Sequence, residues 1–486
     1  MPVPSMRLTV RLTLAAFGLV SVFATASLWA QLPGLYGSHG IVPIAETMAG
    51  LTRAHASFSD VPTLLWLGWS DLALHLLLGV SVFASVCVTA GFAPRWSLLV
   101  LYVSWLSFVQ VGAPFLNFQW DILLLETAVV FAFLAPGGWR PFLTPAFREP
   151  GRAVRFAAAV LACKVTLGSG LVKLASGDDS WRDLTALTFH WWSQPLPTWT
   201  SVIANEWPLG VQKALCAMMF VLELPIPLLA LGPRRARLVA AAGLMAMQAG
   251  LIVAGNYSYY NALTFVLALP LLDDAALGRV WKATAAPVTQ PRSAFWAWAL
   301  TGAYAFFSVT AFSRRFSADP PLRTVLERLS PLHIVGAYGA FAVMTKSRPE
   351  IIVEGSDDGV TWKAYEFPWK PGELDRRPDF VAPWQPRLDW QLWFASLGSC
   401  SQNPWFLSFQ LHLLQGTPEV LALMRVTPFA QAPPKYLRST TWEYRFAPLS
   451  QKGVWWQRTK TGPYCPALAL APNGLLRRAD ELERTP

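Results

Sequence analysis

Charge is what this sequence has least of. Only 14% of its 486 residues are charged, where soluble domains carry roughly 25%. With 53% hydrophobic residues and a mean hydropathy of +0.36, that shortage excludes an ordinary soluble protein. The five cysteines form no CxxC pair and no metal-ligand spacing, so no zinc module or dithiol centre is expected. No GxSxG or other nucleophile signature occurs, which argues against a serine hydrolase. Asp178, Asp179 and Asp183 lack the spacing and the glycine of a calcium loop and read as a solvated acidic turn. There is no internal repeat, and no matched pair of interrupted apolar segments of the kind that marks inverted-repeat transporters. A net charge of +10 is not gathered into a basic module interleaved with aromatics, so nucleic acid is not an expected partner. No metal or cofactor is expected either.

What the chain does have is apolar runs. Arg7 and Arg11 precede a run from Leu12 to Ala30 that is long enough to span a bilayer. Its rival reading is a cleaved signal peptide ending near Ala24-Thr25-Ala26. Its length favours a retained span. Further runs cover 64–90, 96–111, 118–135, 154–174, 209–231, 238–254, 257–272 and 294–312. The third, fourth and eighth are short, so eight or nine spans are expected. With the N-terminus inside, the inside loops hold Arg7, Arg11, Arg95, Arg140, Arg148, Arg152, Arg234, Arg235, Arg237, Arg279, Lys282 and Arg292. The short outside loops hold Arg53 and Arg182. This is a positive-inside pattern, and it places the N-terminus in the cytoplasm and the C-terminal part outside. The 24 Trp and 29 Phe suit aromatic belts at the two interfaces.

Composition changes after the last run. The reading is a multi-span helical domain over 1–315, a connecting segment over 316–346, and a β-rich mixed α/β domain over 347–486. Pro349–Glu354, Asp357-Asp358-Gly359 and Val360–Trp362 read as strand, turn and strand. Leu388–Leu397 is helix or strand. Pro404–Met424 reads as helix in two pieces, broken near Gly416 and Pro418, with Asn403 as N-cap. Tyr436–Phe446 and Val454–Arg458 alternate like strands.

The rare charges inside apolar runs are the first functional candidates, because each costs roughly 2.5–3.5 kcal/mol at a helix centre. Lys173 near the end of its run is either a snorkelling lysine or a base made weak by burial. Lys164 lies deeper. Nine residues at about 100° each put it on the opposite side of the helix, so it is expected to pair with Glu126 or Glu223 instead. Asp71 and His75, four apart, share one helical face as a buried pair or a proton relay. Asp121 reads as an N-terminal helix residue. His190, Trp191 and Trp192 form either a binding patch or an interfacial anchor. Trp405 and Phe406 are candidates for an exposed client surface, with core packing as the alternative. Cys87, Cys163 and Cys216 fall in apolar runs as small buried residues. Cys400 and Cys465 pair if the tail faces an oxidising compartment, and are free thiols otherwise.

Stretches through the whole chain resemble the lipase maturation factor family. They are GLYGSHGIVPI near Tyr36, FLNFQWDILLLE from Phe115, WWSQPLP from Trp191, and in the tail EGSDDGVTWKAYEF, RRPDFVAPWQPRLDWQLWFASL, QNPWFLSFQLHLLQGTPEVLALM and PPKYLRSTTWEYRF followed by WWQRTKTGPY. The resemblance implies a polytopic membrane protein that helps secreted lipases mature. It implies the endoplasmic reticulum membrane in a eukaryote, the inner membrane in a bacterium, and no catalytic residue. A shorter stretch, Gly170–Leu174 followed by Trp181 and His190, is similar to the membrane region of vitamin K-dependent gamma-carboxylases. It implies an alternative, a membrane enzyme acting through Lys173 on a lipid-soluble substrate such as a quinol.

Overall fold

The computed structural model describes residues 3–144, 147–281, 287–288, 294–317 and 322–482. Its first part is a helical bundle. The long helices are α1 (Arg7–Tyr36), α2 (Asp71–Ala90), α3 (Pro94–Val109), α4 (Gln119–Leu134) and α5 (Arg152–Ala175). After a short helix α6 (Leu187–Ser193) come α7 (Leu209–Leu231), α8 (Arg234–Ala254), α9 (Tyr260–Leu267) and α10 (Phe295–Ser313). Six of these, α1, α2, α5, α7, α8 and α10, are long and apolar enough to cross a membrane. The helices α3 and α4, at 16 residues each, rise about 24 Å, less than the roughly 30 Å of a bilayer core. They and α9 are the three runs that hydropathy marks as short. Lys282 and Arg292 of the charge count lie outside the described residues.

The ends of the helices sort into two faces. At one face, Arg7 donates to the carbonyl of Phe142 at 2.6 Å, and Arg11 to that of Thr89 at 2.8 Å. Arg95 donates to Ala135 at 2.7 Å, and Arg234 binds Asp273 just after α9. Arg11 and Arg95 satisfy carbonyls at the ends of α2 and α4, where a cation is electrostatically favoured. At the other face lie the C-terminus of α1, the N-terminus of α2, the C-terminus of α3 and the N-terminus of α4, touching Gln385, Ser38, Pro331 and Arg387 in turn. The starts of α5, α8 and α10, the end of α7 and the segment just after α9 meet around one pocket beside Arg234 and Asp273 at the arginine-bearing face.

The second part is a five-stranded antiparallel sheet with helices against it. Its strands are β1 (Pro349–Ser356), β2 (Lys363–Ala364), β3 (Tyr436–Phe446), β4 (Trp456–Leu470) and β5 (Leu476–Arg478), in the order β2-β1-β3-β4-β5. Register runs from Pro349↔Glu443 to Ser356↔Tyr436 between β1 and β3. The aromatic stretch left open by the sequence is a helix, α11 (Arg387–Ser396). It is followed by α12 (Pro404–Gln415), which ends at Gly416 in a left-handed conformation. Asn403 takes the N-cap position of α12, but its side chain makes no capping bond to the helix. Its side-chain amide reaches back to the Ser399 carbonyl and across to the Tyr464 hydroxyl. A disulfide joins Cys400 to Cys465 on β4.

One hydrophobic core runs without a break from α1, α4 and α9 into α11, α12 and the sheet. Contacts across that junction are close. A Cβ on Gly34, near the end of α1, would lie 2.4 Å from the Glu419 carbonyl, so only glycine admits the tail there. The chain from 334 to 346 is itself tied down. Gly336 and Gly339 donate their amides to Glu126 and Gln119 at 2.9 Å, and Met344 donates to Asp178 at 2.7 Å.

Candidate functional site

Three ion pairs are sunk into the face of the bundle that carries the sheet. The first joins the two parts of the chain. Arg387, at the start of α11, donates to Asp121 at 2.9 and 3.2 Å and to the Phe115 carbonyl at 2.6 Å, and both charged residues are fully buried. Tyr259 adds a 2.6 Å hydrogen bond to the same carboxylate. Asp121 also sits in the first turn of α4 as the sequence implies, but its main partner lies 266 residues away. The second pair is Lys164 with Glu126. Glu126 accepts in addition from Tyr304 at 2.7 Å, Tyr338 at 2.5 Å and the Gly336 amide. Such full satisfaction is what a buried carboxylate requires. The third is Lys173 with both oxygens of Glu223 at 2.8 Å.

Lys173 therefore does not snorkel. It is 4% exposed, and its ammonium also lies 5.3 Å from the Trp181 ring centre. Glu223 belongs to Lys173 and not to Lys164. Asp71 and His75 do not meet each other. Asp71 accepts from the amide and hydroxyl of Ser38 at 2.9 and 2.7 Å, while His75 accepts from the Trp29 indole at 2.7 Å. Neither shares a hydrogen-bond partner with Lys173.

The aromatic candidates are inside. His190 is hydrogen-bonded at 2.9 Å to Tyr257, Trp191 donates to Gln212 at 3.0 Å, and Trp192 donates to the Thr188 carbonyl. Burial, with Lys173 adding to it, pushes the His190 imidazole down to about 4. Trp405 and Phe406 are not an exposed surface either. Both are buried, with Trp405 edge-on to Phe115 at 5.3 Å. The hydrophobic driving force that seats α11 and α12 on the bundle consumes them. Asp178 does not stand free in solvent. It accepts from Ser180 and Met344 and pairs with Lys346 at 3.2 Å, which holds its carboxyl down at about 2.

Beside the third pair is a cavity of about 870 Å³ between α5, α7, α8 and α9, roofed by His190 and Phe341. Its size lies in the range of ligand sites, roughly 300–1,000 Å³. Most of its wall is Leu, Met, Ala and aromatic side chains. Thr166, Gln248 and Asn261 in the wall each carry a buried polar atom with no partner. Gln248 and Asn261 carry a sequence signal other than charge: each is an isolated amide inside an apolar run. Arg387 had a weaker one, a lone cation before an aromatic helix. Among the described residues no cluster of three His, Cys, Asp or Glu stands close enough to hold a metal ion.

The family question is decided by comparison with known proteins. Residues 8–279 match the lipase maturation factor transmembrane domain, and residues 334–466 the lipase maturation factor C-terminal domain. Human lipase maturation factor 2 is 31% identical over 606 aligned residues, which cover 99% of this chain and 86% of that protein. The chain belongs to the lipase maturation factor family. Mouse lipase maturation factor 1 is 32% identical, covering 90% of this chain and 83% of its own length, and human lipase maturation factor 1 is 31% identical over similar shares. No solved structure matches. As a member of this family with six helices of spanning length among its described residues, the chain is a multi-pass membrane protein with a β-containing C-terminal region. The Arg387–Asp121 pair links the parts matched by the two family models.

Proposed function

We propose that this chain is a membrane scaffold that assists the folding or maturation of secreted or membrane client proteins, a lipase among them. It presents its C-terminal domain to clients on the extracytoplasmic side. The observation that carries this reading is the continuity of one core from the bundle into the sheet, sealed by Arg387 and Asp121. That continuity supports a rigid platform and not a tethered tail. The names of the relatives supply the lipase.

The orientation belongs to the same proposal. Nine helical segments cross, the N-terminus is cytoplasmic, and the domain from 347 onwards lies outside. The alternation of helix ends supports nine crossings, because α3, α4 and α9 each keep the alternation although they are short. The arginines gathered on the face away from the sheet support the sidedness. So does the Cys400–Cys465 disulfide, since such bonds persist in oxidising compartments. Deleting the gene in its host is expected to abolish most of the activity of a co-expressed secreted lipase while leaving its transcript unchanged. Unchanged lipase activity would sink the client reading.

A second reading is favoured by one observation, the cavity beside Lys173. It is a membrane enzyme that takes a lipid-soluble substrate such as a quinol and uses Lys173 as base. The two-point grip of Glu223 on that ammonium weighs against it. Lys173→Met alone would strand Glu223 as a lone buried charge, so the informative variant is Lys173→Met/Glu223→Gln. Full function in a folded double variant ends the enzyme reading, and loss of function with normal folding and client binding revives it.

A further inference from the structure

On the face of the bundle away from the sheet, a second cavity of about 290 Å³ opens between the first turns of α5 and α8, the end of α7 and Trp298 of α10. Three arginines line it: Arg152, Arg155 and Arg237. Among the described residues the guanidinium groups of Arg155 and Arg237 make no hydrogen bond and no ion pair, and the Nε of each is buried without a partner. The carboxylates that act on Arg155 are already engaged. Asp273 takes Arg234 at 2.6 and 2.8 Å and the Ala276 amide at 2.9 Å. Glu149 takes the Ser5 hydroxyl at 2.8 Å and the Met6 amide at 3.1 Å.

Two guanidinium groups facing one cavity repel each other and are costly to hold near a bilayer unless an anion joins them. The anion that a planar guanidinium fork fits best, after carboxylate, is phosphate, bound bidentately. We propose that this cavity binds the phosphate of an anionic phospholipid drawn from the adjoining leaflet. The cavity holds a headgroup and no more. Its rim supplies the rest of a lipid site, because Leu231 and Trp298 line it and are themselves 39% and 44% exposed. Acyl chains leaving the cavity lie along that apolar rim. Basic pockets between helix ends at a membrane interface bind anionic headgroups by the same chemistry.

The test uses the purified full-length protein extracted from mixed vesicles of phosphatidylcholine and phosphatidylglycerol, with retained lipid read by native mass spectrometry. The wild type is expected to retain phosphatidylglycerol selectively, and added inorganic phosphate is expected not to displace it. Arg155→Gln/Arg237→Gln is expected to cut that retention at least about tenfold, as two lost charge-assisted hydrogen bonds imply. Equal retention of the two lipids by the wild type overturns the proposal without any variant. Binding of inorganic phosphate in place of lipid overturns the lipid source. A folded double variant that retains phosphatidylglycerol as well as the wild type overturns the site.

Discussion

Replacing Arg387 by methionine tests how the two parts of the chain are held together. Methionine keeps most of the length and apolar contact of the side chain while removing its charge. What remains is Asp121, fully buried, with Tyr259 as its one strong side-chain donor, plus a Phe115 carbonyl that has lost its 2.6 Å bond. Stranding one member of a buried ion pair costs about 3–5 kcal/mol. The reverse change, Asp121→Asn, strands the guanidinium and is expected to cost a similar amount. Removing both charges, in Arg387→Met/Asp121→Asn, removes the stranded charge as well. The double variant should therefore be no worse than either single, leaving a coupling of about 3 kcal/mol in the cycle. Denaturant unfolding in detergent, followed by protease cleavage ahead of Pro349, reads the release of the sheet from the bundle. Single-variant costs within about 0.5 kcal/mol of zero, the range of an unremarkable surface change, would refute the reasoning. So would a double variant whose cost equals the sum of the singles.

Two further outcomes follow from buried groups outside the spans. The His190 imidazole titrates near 4 in the fold, against 6.5 when free, so the unfolded chain takes up its proton first. Stability is then full above about pH 6.5 and falls as pH drops toward about 4, by about 3 kcal/mol in all. His190→Gln should flatten that part of a melting-versus-pH curve, and a wild-type curve with no slope between about pH 7 and about pH 5 contradicts the assignment. The Cys400–Cys465 bond closes a loop of sequence separation 65, worth about 4 kcal/mol on a chain-entropy account. Replacing both cysteines by serine should lower the melting temperature of the sheet region, and an unchanged melt refutes that contribution.

How much of this was legible beforehand depends on whether a feature is local. Helices announce themselves by apolar length, and β3 from Tyr436 to Phe446 by alternation, because both are properties of neighbouring residues. Partner choice is not local. Lys164 could reach Glu126 or Glu223 as far as spacing tells, and only the packing of α4 against α5 selects Glu126. Trp405 and Phe406 carry the composition of a binding surface. The same composition serves a domain junction, and the seating of α12 near Phe115 is a tertiary fact. Asp71 and His75 do share one face of α2, yet Ser38 and Trp29, both outside α2, claim them first. The cavity escaped because it is made by what several segments, far apart in sequence, leave unfilled. Only Gln248 and Asn261, amides without partners in apolar runs, hinted at it.

The account stands on the C-terminal domain lying across the membrane from the arginine-rich face. A fusion after Pro486 measures that directly, with alkaline phosphatase as the reporter in one version and green fluorescent protein in the other. Active phosphatase and a dark fluorescent protein are the predicted pair of results. A fluorescent fusion with inactive phosphatase would put the sheet in the cytosol and contradict the proposed role.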